Sequence, residues 1–218
     1  MDRTLLALFV SLFFYCNTSA QPLALASANS TRSFQLVKKK GNIRVYERWF
    51  EIEGEARETR ELKSEFTIPA GINEILKAIQ YPEEVAKWMQ SVGEVKAIEG
   101  KGTSRWMYYL RYDIPWPLND QDCVMRYHLT RDNGYAHVYF SSVADGRYPP
   151  EDGIKRMEGV QGLWRFESQA DGKTRVTYSV LILEKPSLPR WITDPIVRSN
   201  MMDSMVAFCD VLSKEGKK

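Results

Sequence analysis

The segment Tyr112-Asp113-Ile114-Pro115-Trp116-Pro117-Leu118-Asn119-Asp120-Gln121-Asp122 carries the most information about the fold of this chain of 218 residues. Its two prolines fix φ and lack the N–H that a strand ladder requires. The flanking stretches 105–112 and 123–131 are rich in aromatic and branched residues that favour strands. The segment therefore predicts a stiff aromatic corner at which the chain leaves one strand and enters another.

Further strands are predicted on both sides of this corner. Asp132-Asn133-Gly134 and Asp171-Gly172 are typical of short hairpin turns, because these residue types tolerate positive φ. Regular spacing with hairpin links predicts one twisted antiparallel sheet. The additional predicted strands are 43–51, 61–68, 95–99, 135–143, 160–167 and 175–183.

Helical periodicity appears in three places. Helices are predicted over 70–79 and 82–89, and a last helix is predicted with Asp194 as its N-cap and Pro195 as its first residue. A wide apolar face on a helix that follows an antiparallel sheet predicts packing across the concave side of that sheet. The stripe on the last helix consists of Val197, Met201, Met205, Phe208 and Leu212.

The first twenty residues have the pattern of a secretory signal. Arg3 precedes an apolar run over 5–15, and Thr18-Ser19-Ala20 supplies small residues for cleavage after Ala20. The run is too short for a transmembrane helix, which needs about 18–20 apolar residues. We therefore expect a signal peptide over 1–20, a leader over 21–33, one domain over 34–214, and a periplasmic or secreted protein.

Composition limits the partners of the chain. The formal net charge is +2, and without a clustered basic face the sequence argues against nucleic-acid binding. Lys38-Lys39-Lys40 is predicted to be a solvated turn, with weak contact to an anionic membrane as the alternative. Cys123 and Cys209 remain after processing and could form a disulfide or stay as buried thiols. We expect a monomer.

Several motifs, in order, resemble the START family of lipid-transfer domains over about residues 34–214. The chain departs from that family at 184–188, where members often carry a Gly-rich turn. The resemblance implies an α+β helix-grip fold, in which a curved antiparallel sheet wraps around a long C-terminal helix and encloses an apolar cavity. It also implies a lipid or sterol-like ligand, transient membrane contact and no universal catalytic residue. The matching motifs are 41–48, 85–88, the 115–118 corner with Asp120 and Asp122, 162–166, 171–174, 176–178 and 189–192.

Alternation along the strands predicts the wall of that cavity. Apolar and aromatic side chains occupy one face, and thioethers on the last helix would adapt to a flexible lipid. The alternative is that these side chains simply fill a core. The long loop 144–158 is predicted to border the mouth and to gate it together with 189–195. The predicted ligand-binding residues are Trp106, Tyr108, Leu110, Tyr112, Val138, Phe140, Trp164, Phe166, Tyr178, Val180, Val197, Met201, Met205 and Phe208.

No catalytic or metal constellation stands out in the sequence. His128 and His137 lack ligand spacing, and no nucleophile elbow is present. Asp120 and Asp122 are predicted to accept hydrogen bonds from backbone amides in the corner. We therefore expect a lipid carrier that is not an enzyme and has no metal or cofactor. The alternatives are a cyclase or hydrolase that uses inward tyrosines, and an interaction scaffold whose pocket is filled.

Overall fold

The computed structural model describes residues 33–51, 58–114, 119–183 and 189–215. Four features from the sequence lie outside these ranges: the predicted signal peptide, the leader apart from Ser33, the 115–118 part of the corner, and the segment 184–188. The corner is therefore described only by the residues on either side of it.

The described residues form ten strands and three helices. The elements are β1 Gln35–Lys40, β2 Ile43–Glu51, β3 Glu58–Ile68, α1 Ile72–Gln80, α2 Pro82–Trp88, β4 Val92–Glu99, β5 Arg105–Tyr112, β6 Gln121–Asp132, β7 Tyr135–Ser142, β8 Lys155–Arg156, β9 Val160–Ser168, β10 Thr174–Ile182 and α3 Arg190–Glu215. The predicted strands and helices are thus present, and β1 and β8 are additional.

One curved sheet runs in the order β1-β2-β3-β10-β9-β7-β6-β5-β4, and every neighbouring pair in that order is antiparallel. The short strand β8 pairs with the start of β6 in parallel. The long helix α3 packs against β1, β2 and β3 and against both short helices. This is the helix-grip fold, as predicted.

Both predicted hairpin turns are confirmed. Gly134 joins β6 to β7 with φ of 75°, and Gly172 joins β9 to β10 with φ of 77°. A side chain is disfavoured at such angles, whereas glycine adopts them readily. These turns set the register that places alternate residues of β6, β7, β9 and β10 on the inner face.

The last helix begins earlier than predicted. It starts at Arg190, so Pro195 lies inside the helix and Asp194 is not its N-cap. The carboxylate of Asp194 is instead held by Arg60, with an N–O distance of 2.7 Å, and lies near Arg190 and Arg198. Pro195 lacks the N–H that would bond one turn back, yet the helix continues through it to Glu215.

The lysine run is not a turn. Lys38, Lys39 and Lys40 belong to the edge strand β1, and Lys38 Nζ donates to Ser199 Oγ on α3 at 2.7 Å. Unpaired strand edges commonly carry lysines, because charge discourages pairing with another chain. The prediction failed because a basic run by itself does not distinguish a turn from an edge strand.

The two corner aspartates behave differently. Asp120 Oδ1 accepts from the Ile114 backbone N–H at 3.1 Å, which confirms its predicted role. Asp122 is buried and instead accepts from the Arg156 guanidinium, at 2.6 and 2.9 Å. Because Arg156 lies 34 positions along the chain, local turn chemistry could not predict this partner.

The loop 144–158 lies against the strands next to the corner. Tyr148 stacks on Tyr109 of the outer face, with ring centroids 4.7 Å apart. The backbone N–H of Met157 donates to the Asp122 carbonyl at 2.7 Å, and the Met157 side chain packs against the inner core. These contacts hold the loop to the start of β6, and its predicted gating role stays a prediction.

The two cysteines that the structure describes are free thiols. Cys123 lies on β6 and Cys209 on α3, and burial raises the pKa of each thiol to about 12. Neither thiol is therefore ionised near neutral pH. Among the described residues, no helix has the length and apolarity needed to span a bilayer.

Candidate functional site

The predicted cavity-wall residues all lie in one region. Each is part of the main core cluster or packs against it, on the inner face of the sheet or on the side of α3 that meets this core. Cross-strand pairs explain the arrangement: Tyr127 lies opposite Trp106 and Phe140, and Tyr178 lies opposite Trp164. Whether these residues bind a ligand stays a prediction.

Part of this region is a filled core. Phe208 is fully buried and makes edge contacts with Trp88 and Phe66, at centroid separations of 4.9 and 6.3 Å. Trp164 packs against Trp88 at 5.9 Å and Phe208 at 5.3 Å. Aromatic pairs of this kind add about 0.5–1.5 kcal/mol each beyond their burial. At this end of α3 the predicted wall residues therefore fill the core, as the alternative interpretation expected.

Another part of the inner face is only partly buried. Tyr178, Val180, Tyr112 and Val197 retain accessible surface although they pack against the core cluster. Tyr178 is the most informative, because it lies in mid-strand on β10, between β3 and β9, and faces inward beside the buried Trp164. Its remaining accessible surface therefore lies on the inner face. The predicted site residues thus divide into a buried group and a partly accessible group.

Gly162, which belongs to one of the family-like motifs, shapes this part of the inner face. Gly162 lies on the inner face between Phe140 and Val180. A Cβ added at Gly162 would lie 2.1 Å from Phe140 Cζ and 2.3 Å from the Ser179 carbonyl oxygen. The missing side chain therefore allows the Phe140 ring to lie over the β9 backbone. The Phe140 ring in turn stacks on Tyr178 at 5.7 Å.

A network of charges fastens the start of α3 to the sheet. Arg198 donates to both oxygens of Glu47, at 2.8 and 3.0 Å, and Arg60 donates to Asp194 at 2.7 Å. Burial by itself would raise the pKa of Glu47. Hydrogen bonds from Arg198 and Trp49, together with nearby positive charge, outweigh burial and lower that pKa. The carboxylate therefore stays ionised beside the apolar core.

This network was not predicted from the sequence. Strand alternation places Glu47 on the same face as Val45, and this was the available signal. It does not identify a partner, because Arg198 lies 151 positions away. Charge within a mostly apolar interior is tolerated here because each carboxylate faces a guanidinium.

The inward tyrosines are neutral. Burial is the main cause that raises the pKa of Tyr108, Tyr112, Tyr127 and Tyr178. The Tyr108 hydroxyl donates to the Gln80 carbonyl and is thus committed to holding α1. A protonated tyrosine is a hydrogen-bond donor and a poor general base near neutral pH. The interior therefore offers uncharged hydroxyls.

Two open cavities lie elsewhere. One of about 750 Å³ is on the outer face of the sheet, bordered by polar residues that include Arg44, Arg165 and Arg175. One of about 220 Å³ lies beside β1 and β2 at the start of α3, and Arg190 and Arg198 border it. In the described ranges, no group of three or more His, Cys, Asp or Glu side chains could hold a metal ion.

Comparison with known proteins gives one limited sequence relative. No protein-family model matches the chain. An uncharacterized protein of Pseudomonas aeruginosa is 30% identical over 113 residues, which cover 51% of this chain and 54% of that protein. The chain thus matches only about half the length of this relative.

Solved structures show the fold more fully. A STAR-related lipid transfer protein from Xanthomonas axonopodis superposes with a TM-score of 0.71 at 23% identity, over 83% of this chain and 98% of that one. Human StAR-related lipid transfer protein 5 gives 0.70 at 13% identity, over 86% and 90%. An aromatase/cyclase from a Streptomyces species gives 0.53 at 12%, over 72% and 94%. At these identities the likeness concerns the fold alone.

Proposed function

We propose that this chain binds one lipid or sterol-like molecule between the sheet and α3 and carries it through an aqueous compartment. The observation that carries this proposal is the accessible surface of Tyr178, Val180, Tyr112 and Val197 on an otherwise packed inner face. Apolar space with a few polar groups suits an apolar ligand. The fold likeness to two proteins named for lipid transfer supports the same function.

Carriage has a clear energetic basis. A lipid that leaves a membrane exposes apolar surface, at a cost of about 0.8 kcal/mol per CH₂ group. An inner face lined by aromatic and aliphatic side chains removes most of that cost. The ligand would be held by contact area rather than by covalent chemistry.

The test has two stages. Protein purified from its own host without added detergent is examined by native mass spectrometry, where a bound lipid appears as a discrete mass increment. Transfer of that lipid between donor and acceptor vesicles is then measured with and without the protein. A ligand-free protein that neither retains lipid nor speeds transfer would refute the proposal.

A cyclase or hydrolase of the same fold is the second candidate, since an aromatase/cyclase shares the architecture. Such an enzyme needs an acid or base that faces the substrate. The inward tyrosines have raised pKa values, and Glu47 and Asp194 are engaged by arginines. We therefore favour binding without turnover. Product formation over many turnovers from a bulky apolar substrate would reverse this choice.

We also propose transient membrane contact through the start of α3. Trp191 is 78% exposed beside the half-exposed Arg190. Tryptophan favours the boundary between lipid and water, and arginine attracts anionic headgroups. Contact here would bring the lipid surface to the same end of α3 as Val197. The lysines of β1 are a less direct candidate because Lys38 is bound to Ser199.

The proposed location is the periplasm or the outside of the cell, and the proposed state is a monomer. The support for the location is the signal pattern over 1–20. Sequencing the N-terminus of the protein from its native cell tests it: a start at Gln21 agrees, and an intact Met1 in the soluble protein disagrees.

A further inference from the structure

Two tyrosine hydroxyls on the inner face have no hydrogen-bond partner among the described residues. They belong to Tyr127 on β6 and Tyr178 on β10. In the described part of the chain, the polar side-chain atoms that are sealed off without a partner are Ser64 Oγ and Trp106 Nε1. The two tyrosine hydroxyls are not among these sealed atoms: Tyr178 keeps accessible surface, and Tyr127 is 9% exposed. A buried hydroxyl without a hydrogen-bond partner costs the folded state about 1–3 kcal/mol of stability.

Neighbouring groups extend these hydroxyls into a patch. The rings of Tyr127, Phe140 and Tyr178 follow one another at centroid separations of 5.9 and 5.7 Å. The Tyr112 hydroxyl donates to Met89 Sδ at 3.5 Å, and this hydroxyl and the Cys123 thiol lie close enough to influence each other's pKa. Tyr112, Tyr127 and Tyr178 all lie close enough to Cys123 to affect its ionisation or be affected by it. We call Tyr112, Cys123, Tyr127 and Tyr178 the tyrosine patch.

The tyrosine patch is uncharged. Burial raises the pKa of its three tyrosines, and the pKa of Cys123 is about 12, so every member keeps its proton near neutral pH. The charged groups described near this interior are already paired: Asp122 with Arg156 beside Cys123, Glu47 with Arg198, and Asp194 with Arg60. An ionised ligand group placed against the patch would therefore be desolvated without a counter-ion, which is costly.

We propose that the tyrosine patch is the polar anchor of the site and selects an apolar ligand that carries an uncharged hydroxyl or carbonyl oxygen at its inner end. A ligand oxygen accepts from the free hydroxyl of Tyr127 or Tyr178, while the rest of the ligand lies along Val180 and Val197. Phospholipids and free fatty acids, which would bring a charge to the patch, are disfavoured as inner-end ligands. This inference rests on the proposed lipid-binding function and specifies its ligand class.

The test compares ligands that differ in one group. Delipidated full-length protein is loaded from cyclodextrin with octadecanol, octadecane or octadecanoate, and separately with cholesterol or cholestane. Retained ligand is measured as a function of concentration. We expect the alcohol or the sterol to bind more tightly than its matched hydrocarbon, and octadecanoate to bind more weakly than octadecanol.

Substitutions place the effect at the patch. Tyr178→Phe and Tyr127→Phe should weaken binding of the hydroxylated ligand roughly 2- to 10-fold and leave the hydrocarbon unchanged. Tyr135→Phe, on the outer face and 47% exposed, is the matched control and should change neither. Unfolding midpoints of all three variants show that they are folded.

Four outcomes separate the possible failures. If octadecanoate binds as tightly as octadecanol, the polar anchor is wrong while lipid binding stands. The same follows if the Tyr→Phe substitutions weaken the binding of hydroxylated and hydrocarbon ligands equally. If the wild-type protein binds the hydroxylated ligand no more tightly than its matched hydrocarbon, the polar anchor is wrong whatever the variants show. Failure of wild-type protein to retain any of the five ligands, together with absence of lipid in protein from its host, overturns the proposed function itself.

Discussion

Substitution of Gly162 by alanine tests how tightly the inner face is built. The added methyl would lie 2.1 Å from Phe140 Cζ and 2.3 Å from the carbonyl oxygen of Ser179. The Phe140 ring can rotate or shift, but the Ser179 carbonyl belongs to the neighbouring strand β10 and moves only if the β9–β10 pairing opens. Gly162 lacks the positive φ of the turn glycines, so this clash is the main native-state cost.

The magnitude follows from two opposing effects. Overpacking of this kind costs about 1–3 kcal/mol, and the immobile carbonyl places Gly162→Ala toward the upper end. Alanine restricts the unfolded chain more than glycine does, and this offsets about 0.4–1 kcal/mol of the lost stability. We therefore expect a net loss of about 2 kcal/mol in the free energy of unfolding. For a chain of this size, that corresponds to a decrease in Tm of about 4–8 °C.

The assay is urea unfolding followed by tryptophan fluorescence, with Gly146→Ala as the matched control. Gly146 has no atom within 4 Å of its added Cβ and no positive φ, so its variant should stay within about 0.5 kcal/mol of wild type. The double variant Phe140→Leu with Gly162→Ala should recover only part of the loss, since the Ser179 contact remains. Equal stabilities of Gly162→Ala and Gly146→Ala would refute the reasoning.

Three further predictions concern the charge network, the open space and the exposed tryptophan. Glu47→Gln should lower stability near neutral pH by about 1–2 kcal/mol, allowing for the partial exposure of Arg198. The pKa of Glu47 is lower in the folded state than in the unfolded state. The stability that Glu47 contributes is therefore fully present above the unfolded-state pKa and disappears as the pH falls through the folded-state pKa. Urea unfolding at several pH values should therefore show wild type and variant converging in acid, and a constant gap would contradict this. Val180→Trp should block lipid retention in a folded protein, and unchanged retention would count against a ligand space at Val180. Met205→Trp should instead cost about 1–3 kcal/mol of stability, because Met205 is sealed. Trp191→Ser should slow transfer to anionic vesicles without shifting Tm, and an unchanged transfer rate would remove Trp191 from the membrane contact.

Local sequence signals were sufficient for most of the strands. The predicted strand 105–112 coincides with β5, and the turn at Asp132-Asn133-Gly134 correctly joins β6 to β7. Alternation and turn preference act between residues a few positions apart, so both can be read from the chain. The same alternation placed Trp106, Tyr178 and Val180 on one face, as the structure has them.

Other features depend on partners that are distant in the chain. Asp194 carries the signature of an N-cap, but Arg60, 134 positions away, holds its carboxylate in a helix that begins at Arg190. Helical spacing placed Phe208 in the predicted cavity wall and strand alternation placed Tyr178 there as an equal, although Phe208 is sealed against Trp88 and Tyr178 keeps accessible surface. The strands, the hairpins and the apolar face could be predicted from the sequence, because they arise from neighbouring residues. The folded chain was needed to show which inner side chains fill the core, which hydroxyls lack a partner and which charges meet, because those properties belong to contacts between residues far apart in the chain.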